Sequence, residues 1–235
     1  MDIPLPALLL IAVVLGGLVS TLYFAHRKEQ NRRAAYVALA ERRGLIHAMR
    51  TSMSRPTEVS FEDPESDLTI TVTRRRAKQD RKSRSIQGGT TELRMGDPRL
   101  QGGLVLYAPA MHKKFDGVAN ALLGAFDNKV AKYLIGRMFG DEIGAYLGQM
   151  TEQPVPEGVA LTILGNVDPD PIFDPVAAKR VLDTAPRGGG ADRSTMILVT
   201  EAGTRLRLGR DLLEAAEIEQ LLDAGILLRE TLKRP

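Results

Sequence analysis

The sequence predicts an α+β fold: a single N-terminal transmembrane helix followed by a cytoplasmic domain of at least five strands, with a central helical segment and a C-terminal helix. Residues 3–24 contain no charged side chain, which is typical of a membrane anchor. Apolar and polar side chains alternate over 68–73 and 204–208, as they do in half-buried strands. We expect an anchor at 1–25, a basic helical stalk at 26–44 and the α+β domain at 45–235.

The uncharged run IPLPALLLIAVVLGGLVSTLYF is long enough to cross a membrane. Its 22 residues would extend about 33 Å as a helix, and a bilayer core is about 30 Å thick. Basic residues follow the run but do not precede it (Arg27, Lys28, Arg32 and Arg33). The positive-inside rule therefore predicts an inner (plasma) membrane protein with its N-terminus outside and its domain in the cytoplasm. A cleaved signal peptide and a buried core helix are the alternatives, but a signal peptide needs basic residues before a shorter apolar core.

Small residues recur every four positions inside the predicted anchor. Ala12, Gly16 and Ser20 would share one helix face, and such faces let two membrane helices approach closely. This pattern would allow association with a second copy or with another membrane protein. The alternative is that it only reflects how common small residues are in membrane helices.

The elements of the domain follow from its patterns in chain order. The stalk is predicted to end at Gly44, because glycine readily follows the last turn of a helix. Residues 111–150 have a helical pattern with a ridge of four glycines, which packs either internally or against a partner (Gly136, Gly140, Gly144 and Gly148). A short helix is expected at 176–185, and a longer one at 211–225 with Gly225 as its stop. Strands are expected at 57–61, 68–73, 91–95, 104–108, 159–165, 195–200 and 204–208.

The strongest charge feature is RRRAKQDRKSRS, which lies between two predicted strands. Its basic side chains could bind an anionic membrane surface or an acidic partner (Arg74, Arg75, Arg76, Lys78, Arg81, Lys82 and Arg84). A solvated hairpin loop without a ligand is the alternative. Nucleic acid is disfavoured, because no aromatic side chain interrupts the run to stack on bases.

The usual signatures of catalysis are missing from the sequence. There is no cysteine, no G-x-x-x-x-G-K-[ST], no G-x-S-x-G and no H-E-x-x-H. His112 and Asp116 are spaced to meet on a helix, but they adjoin two lysines and suggest a surface pair. Asp168, Asp170 and Asp174 form the best cation candidate, although prolines between them limit their convergence. We therefore predict no metal and no cofactor.

These patterns favour a bacterial, single-pass membrane protein whose cytoplasmic domain is a non-catalytic binding or scaffold module, part of a larger membrane complex or its assembly. Its expected partners are the lipid bilayer, anionic head groups, and a membrane protein or a second copy. Two alternatives stay open: a membrane-tethered hydrolase that uses the acidic loop, and a nucleic-acid-binding protein that uses the basic loop.

Overall fold

The computed structural model describes residues 5–51, 56–74, 89–96, 100, 102–110, 146, 149–169, 172–187 and 195–232, with side chains from residue 14 onward. Within these ranges it contains three helices and one antiparallel sheet of nine strands. The helices are α1 (Leu5–Arg43), α2 (Pro175–Thr184) and α3 (Ala215–Thr231). The strands are β1 (Ile46–Arg50), β2 (Thr57–Asp63), β3 (Leu68–Arg74), β4 (Thr90–Met95), β5 (Leu104–Pro109), β6 (Thr151–Glu152), β7 (Leu161–Gly165), β8 (Met196–Thr200) and β9 (Gly203–Leu208).

The strand order makes the C-terminal hairpin the centre of the sheet. The order is β1-β2-β3-β4-β9-β8-β5-β7-β6, so β8 and β9 are inserted between β4 and β5. Leu206, for example, lies opposite Leu93 of β4 on one side and Ile197 of β8 on the other. The two halves of the sheet are therefore joined only when the C-terminal strands have paired.

One face of the sheet holds the main core. Alternate residues of the strands point to it, so that Phe61, Ile70 and Leu93 are at most 1% exposed. The last turns of α1 and the helices α2 and α3 cover this face, with α2 and α3 packed on each other.

The opposite face of the sheet is divided into a charged part and an apolar part. On β4 and β9, Glu92 lies 2.5 Å from Arg94, 3.7 Å from Arg205 and 3.8 Å from Arg207. Beside it, β5 and β8 bury a second, smaller apolar cluster against which Tyr146 packs (Leu104, Leu106, Ala108, Met150, Met196 and Leu198).

The predicted α+β class, the count of at least five strands and the C-terminal helix are confirmed. The predicted stop at Gly44 is also confirmed, because α1 ends at Arg43 and Gly44 has a φ of 68°. Strands β1 and β6 are not predicted by the sequence. The sequence of β1, IHAMR, has too little alternation of apolar and polar side chains, and β6 is only two residues long. The predicted central helical segment and its glycine ridge lie outside the described residues, except for Tyr146, Gln149 and Met150.

The transmembrane part of the predicted fold is not reproduced. In the part of the chain whose side chains are described, no helix is both long enough and apolar enough to cross a membrane. The residues predicted as the anchor and the stalk form one unbroken helix, α1, from Leu5 to Arg43.

The prediction that Gly225 ends the last helix is wrong. The helix α3 continues to Thr231, and Gly225 is buried near its middle. A Cβ atom at this position would overlap the side chain of Leu93, which is itself fully buried. The glycine therefore allows α3 to lie close to β4. This close packing compensates for the helix-propensity cost of glycine, which is about 1 kcal/mol relative to alanine.

We expect Gly225→Val to lower the free energy of unfolding by about 1–3 kcal/mol, because the added atoms overpack the contact with Leu93. Urea denaturation of the full chain in mild detergent measures this effect. The control is Ala216→Val, an exposed position on the same helix, which should cost only the small helix-propensity difference. The double variant Gly225→Val/Leu93→Ala should lose less free energy of unfolding than the sum of the losses in the two single variants. Full additivity would contradict the close contact.

Candidate functional site

A groove opens where α1 leaves the domain, and we call it the junction groove. Its volume is about 410 Å³, and its lining residues come from α1 and from the turn that enters α3 (Phe24, Arg27, Lys28, Asn31, Arg32, Ala35, Leu213, Glu214 and Ala215). This volume is within the range of small-ligand sites, roughly 300–1,000 Å³.

The wall on α1 follows from helical periodicity. Phe24, Arg27, Lys28, Asn31, Arg32 and Ala35 occupy positions i, i+3, i+4, i+7, i+8 and i+11, which lie on one side of a helix. The other wall is held by two contacts of Glu217. Its carboxylate accepts a hydrogen bond from Arg210 Nη1 at 2.7 Å and one from the backbone N–H of Glu214 at 3.5 Å.

Tyr36 ties the two walls together. Its hydroxyl donates to the backbone carbonyl of Leu213 at 3.0 Å and lies 3.4 Å from that of Leu212. The ring is 2% exposed and packs edge-on against Phe61, with ring centres 5.6 Å apart. Burial raises the pKa of this hydroxyl to about 12, so it remains a hydrogen-bond donor at neutral pH.

Ion pairs organise the basic side chains next to the groove. Glu29 accepts from Arg32 at 2.9 Å and lies 3.5 Å from Arg33 and 3.4 Å from Arg74. Arg27 and Lys28 are exposed and have no ion-pair partner among the described residues. The groove therefore offers two cations without an ion-pair partner in the described part of the chain, and Arg32 and Glu214 also line it.

Only the first residue of the predicted basic surface is described. Arg74 ends β3 beside Glu29 of α1, so the run leaves the sheet at the end that carries the junction groove. Its other members lie outside the described residues (Arg75, Arg76, Lys78, Arg81, Lys82 and Arg84). The predicted binding of an anionic surface stays a prediction.

The predicted helix-association face is partly described. Gly16 and Ser20 lie on the exposed surface of α1, and a Cβ added at Gly16 would meet no atom within 4 Å. The side chain of Ala12 lies outside the described residues. The predicted association is therefore untested.

Asp174 of the acidic loop has a structural role as a helix cap. The carboxylate of Asp174 accepts a hydrogen bond from the backbone N–H of Ala177 at 3.1 Å and caps α2. Asp168 is exposed and Asp170 lies outside the described residues, as do His112 and Asp116. Over the described ranges, no group of three or more acidic or histidine side chains is placed to hold a metal ion.

Sequence reasoning missed the junction groove. The sequence predicts Arg27 and Lys28 only as part of the basic stalk and as a topology signal, and nothing in the local sequence connects them with residues 213–215. The available signal was the three-to-four-residue spacing from Phe24 to Ala35, which marks one helix face.

Comparison with known proteins does not assign the chain to a group. No family model matches it, and no curated protein or solved structure matches it significantly.

His47 lies in the same aromatic cluster, and burial lowers its pKa below 6.5. Its ring centre is 5.0 Å from that of Phe61 and 6.2 Å from that of Tyr36, and its Nε2 has no hydrogen-bond partner among the described groups. Protonation is therefore easier in the unfolded chain. The free energy of unfolding should decrease as pH falls from 6.5 towards the lowered pKa of His47.

We expect His47→Phe to remove this part of the pH dependence, because phenylalanine packs in the cluster without titrating. The measurement is the urea midpoint of the full chain in mild detergent between pH 7.5 and pH 5. The matched control is His26→Gln, which changes an exposed histidine on α1 and should keep the acid sensitivity of the original chain. An unchanged acid slope in His47→Phe would refute this assignment.

Proposed function

We propose that the chain is a single-pass membrane-anchored protein whose α+β domain is held at the cytoplasmic surface as a non-catalytic binding or scaffold module. One observation carries the proposal. Large apolar side chains of α1 are exposed over three turns, each between 56% and 64% (Val14, Leu15, Leu18, Val19, Leu22, Tyr23 and Phe24).

Such a surface needs an apolar environment. Transfer of one large aliphatic side chain out of water is worth about 1.5–3 kcal/mol, so exposure of seven to water would be costly. At 100° per residue these side chains occupy more than half of the helix circumference, which suits a bilayer better than a single docking groove. The hydroxyl of Thr21 donates to the carbonyl of Gly17 at 2.7 Å, so this polar group is satisfied within the helix.

The proposed span includes more residues than those whose side chains are described. Residues 14–24 extend about 16 Å along the helix axis, which is half of a hydrocarbon core about 30 Å thick. The other half would come from residues 3–13, which carry no charge in the sequence.

Charge supports the proposed orientation. Arg27 and Lys28 come within one turn of Phe24, and Glu29 brings Arg74 to the same side of the domain. Glu29 is five residues from Phe24, or about 7 Å along the axis. The basic run that starts at Arg74 would therefore lie close to the head groups, where each basic side chain contributes about 1 kcal/mol at an anionic surface.

The binding or scaffold role is the less specific part of the proposal. It is supported by the lack of catalytic signatures in the sequence and by the predicted association face of Ala12, Gly16 and Ser20. A membrane protein or a second copy of the chain is the proposed partner.

We expect the full chain to stay in the membrane pellet after an alkaline carbonate wash, and Leu15→Lys/Leu18→Lys to abolish this retention. Each lysine near the middle of a span costs about 2.5–3.5 kcal/mol during insertion. The matched control, Val37→Lys/Ile46→Lys, adds the same charge at exposed apolar positions outside the proposed span and should remain in the pellet. Release of the unaltered chain by the wash would refute the anchor.

Orientation can be tested by cysteine labelling, because the chain contains no cysteine of its own. In intact spheroplasts, a membrane-impermeant maleimide should label Asp2→Cys but not Glu230→Cys, which should react only after lysis. Both positions are charged in the sequence, and Glu230 is exposed on α3. The opposite labelling pattern would contradict the cytoplasmic position of the domain.

A further inference from the structure

We propose that the junction groove binds the head group of one anionic phospholipid, of the class that joins a single phosphodiester to a hydroxyl-bearing group such as glycerol. This inference rests on the proposed membrane anchoring. It goes further by assigning a defined lipid site to residues of α1 and of the turn before α3.

The position of the groove suits a lipid. Phe24 lines it and is also the last of the exposed apolar side chains of α1. Arg27 follows by three residues, about 4.5 Å along the helix axis. A lipid whose acyl chains lie against the apolar turns of α1 that end at Phe24 would therefore place its phosphate beside the first cations of the groove.

The side chains provide the chemistry for a phosphodiester. Arg27 can donate two parallel hydrogen bonds to phosphate oxygens, and Lys28 adds a point charge. Both are free of ion-pair partners within the described part of the chain, so they need not break an existing contact to bind. The Arg32 side chain is 11% exposed and is held by its ion pair with Glu29 at 2.9 Å, so it adds a positionally fixed positive charge to the groove.

Glu214 gives the groove a preference among anionic head groups. Glu214 lies on the wall opposite the cations, and its carboxylate takes part in the capping box of α3 by accepting from the backbone N–H of Glu217. A carboxylate has several acceptor sites, so it can also accept a hydrogen bond from a head-group hydroxyl. The same carboxylate would repel a second negative charge. We therefore expect phosphatidylglycerol to bind more tightly than phosphatidic acid, which carries a terminal phosphate and no hydroxyl group beyond it.

The groove is also held in shape before a ligand binds. The Tyr36 hydroxyl joins α1 to Leu213 at 3.0 Å, and Glu217 orders the turn through Arg210. Preorganised walls lose little conformational entropy on binding.

The experiment is native mass spectrometry of the full chain, purified in detergent and titrated with phosphatidylglycerol or phosphatidylcholine. We expect a preferred first site for phosphatidylglycerol. Arg27→Gln/Lys28→Gln should weaken that site about 25-fold, about fivefold for each charge lost. Equal binding of the two lipids by the unaltered chain would overturn the proposal.

The control variant is Arg33→Gln/Arg42→Gln, which removes the same charge from the same helix at positions that do not line the groove. Its affinity for phosphatidylglycerol should equal that of the unaltered chain. Equal weakening in both double variants would indicate diffuse charge attraction and overturn the site. Thermal unfolding of each variant verifies that it is folded.

Two further titrations define the ligand. Glu214→Gln should reduce the preference for phosphatidylglycerol over phosphatidic acid, and an unchanged preference would overturn the role of this carboxylate. Soluble glycerol phosphate should bind far more weakly than the lipid, and equal affinity would overturn the assignment to a membrane lipid. A chain that resists carbonate extraction but does not prefer phosphatidylglycerol would refute this inference alone and leave the proposed anchoring intact.

Discussion

The attachment of α1 to the domain is the contact on which the rest of the structure depends. Tyr36 packs against Phe61 and donates to the carbonyl of Leu213, while Leu39 and Ala40 are buried beside it. At the far end, Arg43 pairs with Glu219 and Asp223 of α3, each at 2.9 Å. A helix of 39 residues is thereby fixed to the sheet over its last turns and left exposed over the turns described before them.

This attachment has chemical consequences at the other end of the buried turns. Because α1 continues straight out of the domain, Phe24, Arg27 and Lys28 stand next to the turn at Leu213 and Glu214. The ion pair between Glu29 and Arg74, at 3.4 Å, brings the end of β3 next to the same part of α1. Exposed apolar side chains, the exposed cations Arg27 and Lys28, and the start of the basic run are thus close together. This order of surfaces is the one expected if the proposed membrane anchoring is correct.

The local elements that could be predicted share a strong pattern. Residues 68–73 alternate between buried and half-exposed, and Gly44 ends α1 by adopting a positive φ. Elements that failed had a weak or misleading local signal. The edge strand β1 pairs on one side only and has little apolar alternation, and Gly225 resembled a helix stop although Leu93, distant in sequence, is what requires the glycine. For the site, sequence identified Arg74 and the basic residues after Phe24 but not the wall that faces them.

The sequence by itself determined the α+β class, the long uncharged run, the basic side chains after it and most strand positions, because these depend on periodicity and charge along neighbouring residues. Only the tertiary structure decided the strand order, the insertion of β8 and β9 between β4 and β5, and the junction groove. These features join residues far apart in the chain, such as Tyr36 and Leu213. Such contacts depend on packing and hydrogen bonding between distant parts of the chain, and the periodicity of neighbouring residues does not reveal them.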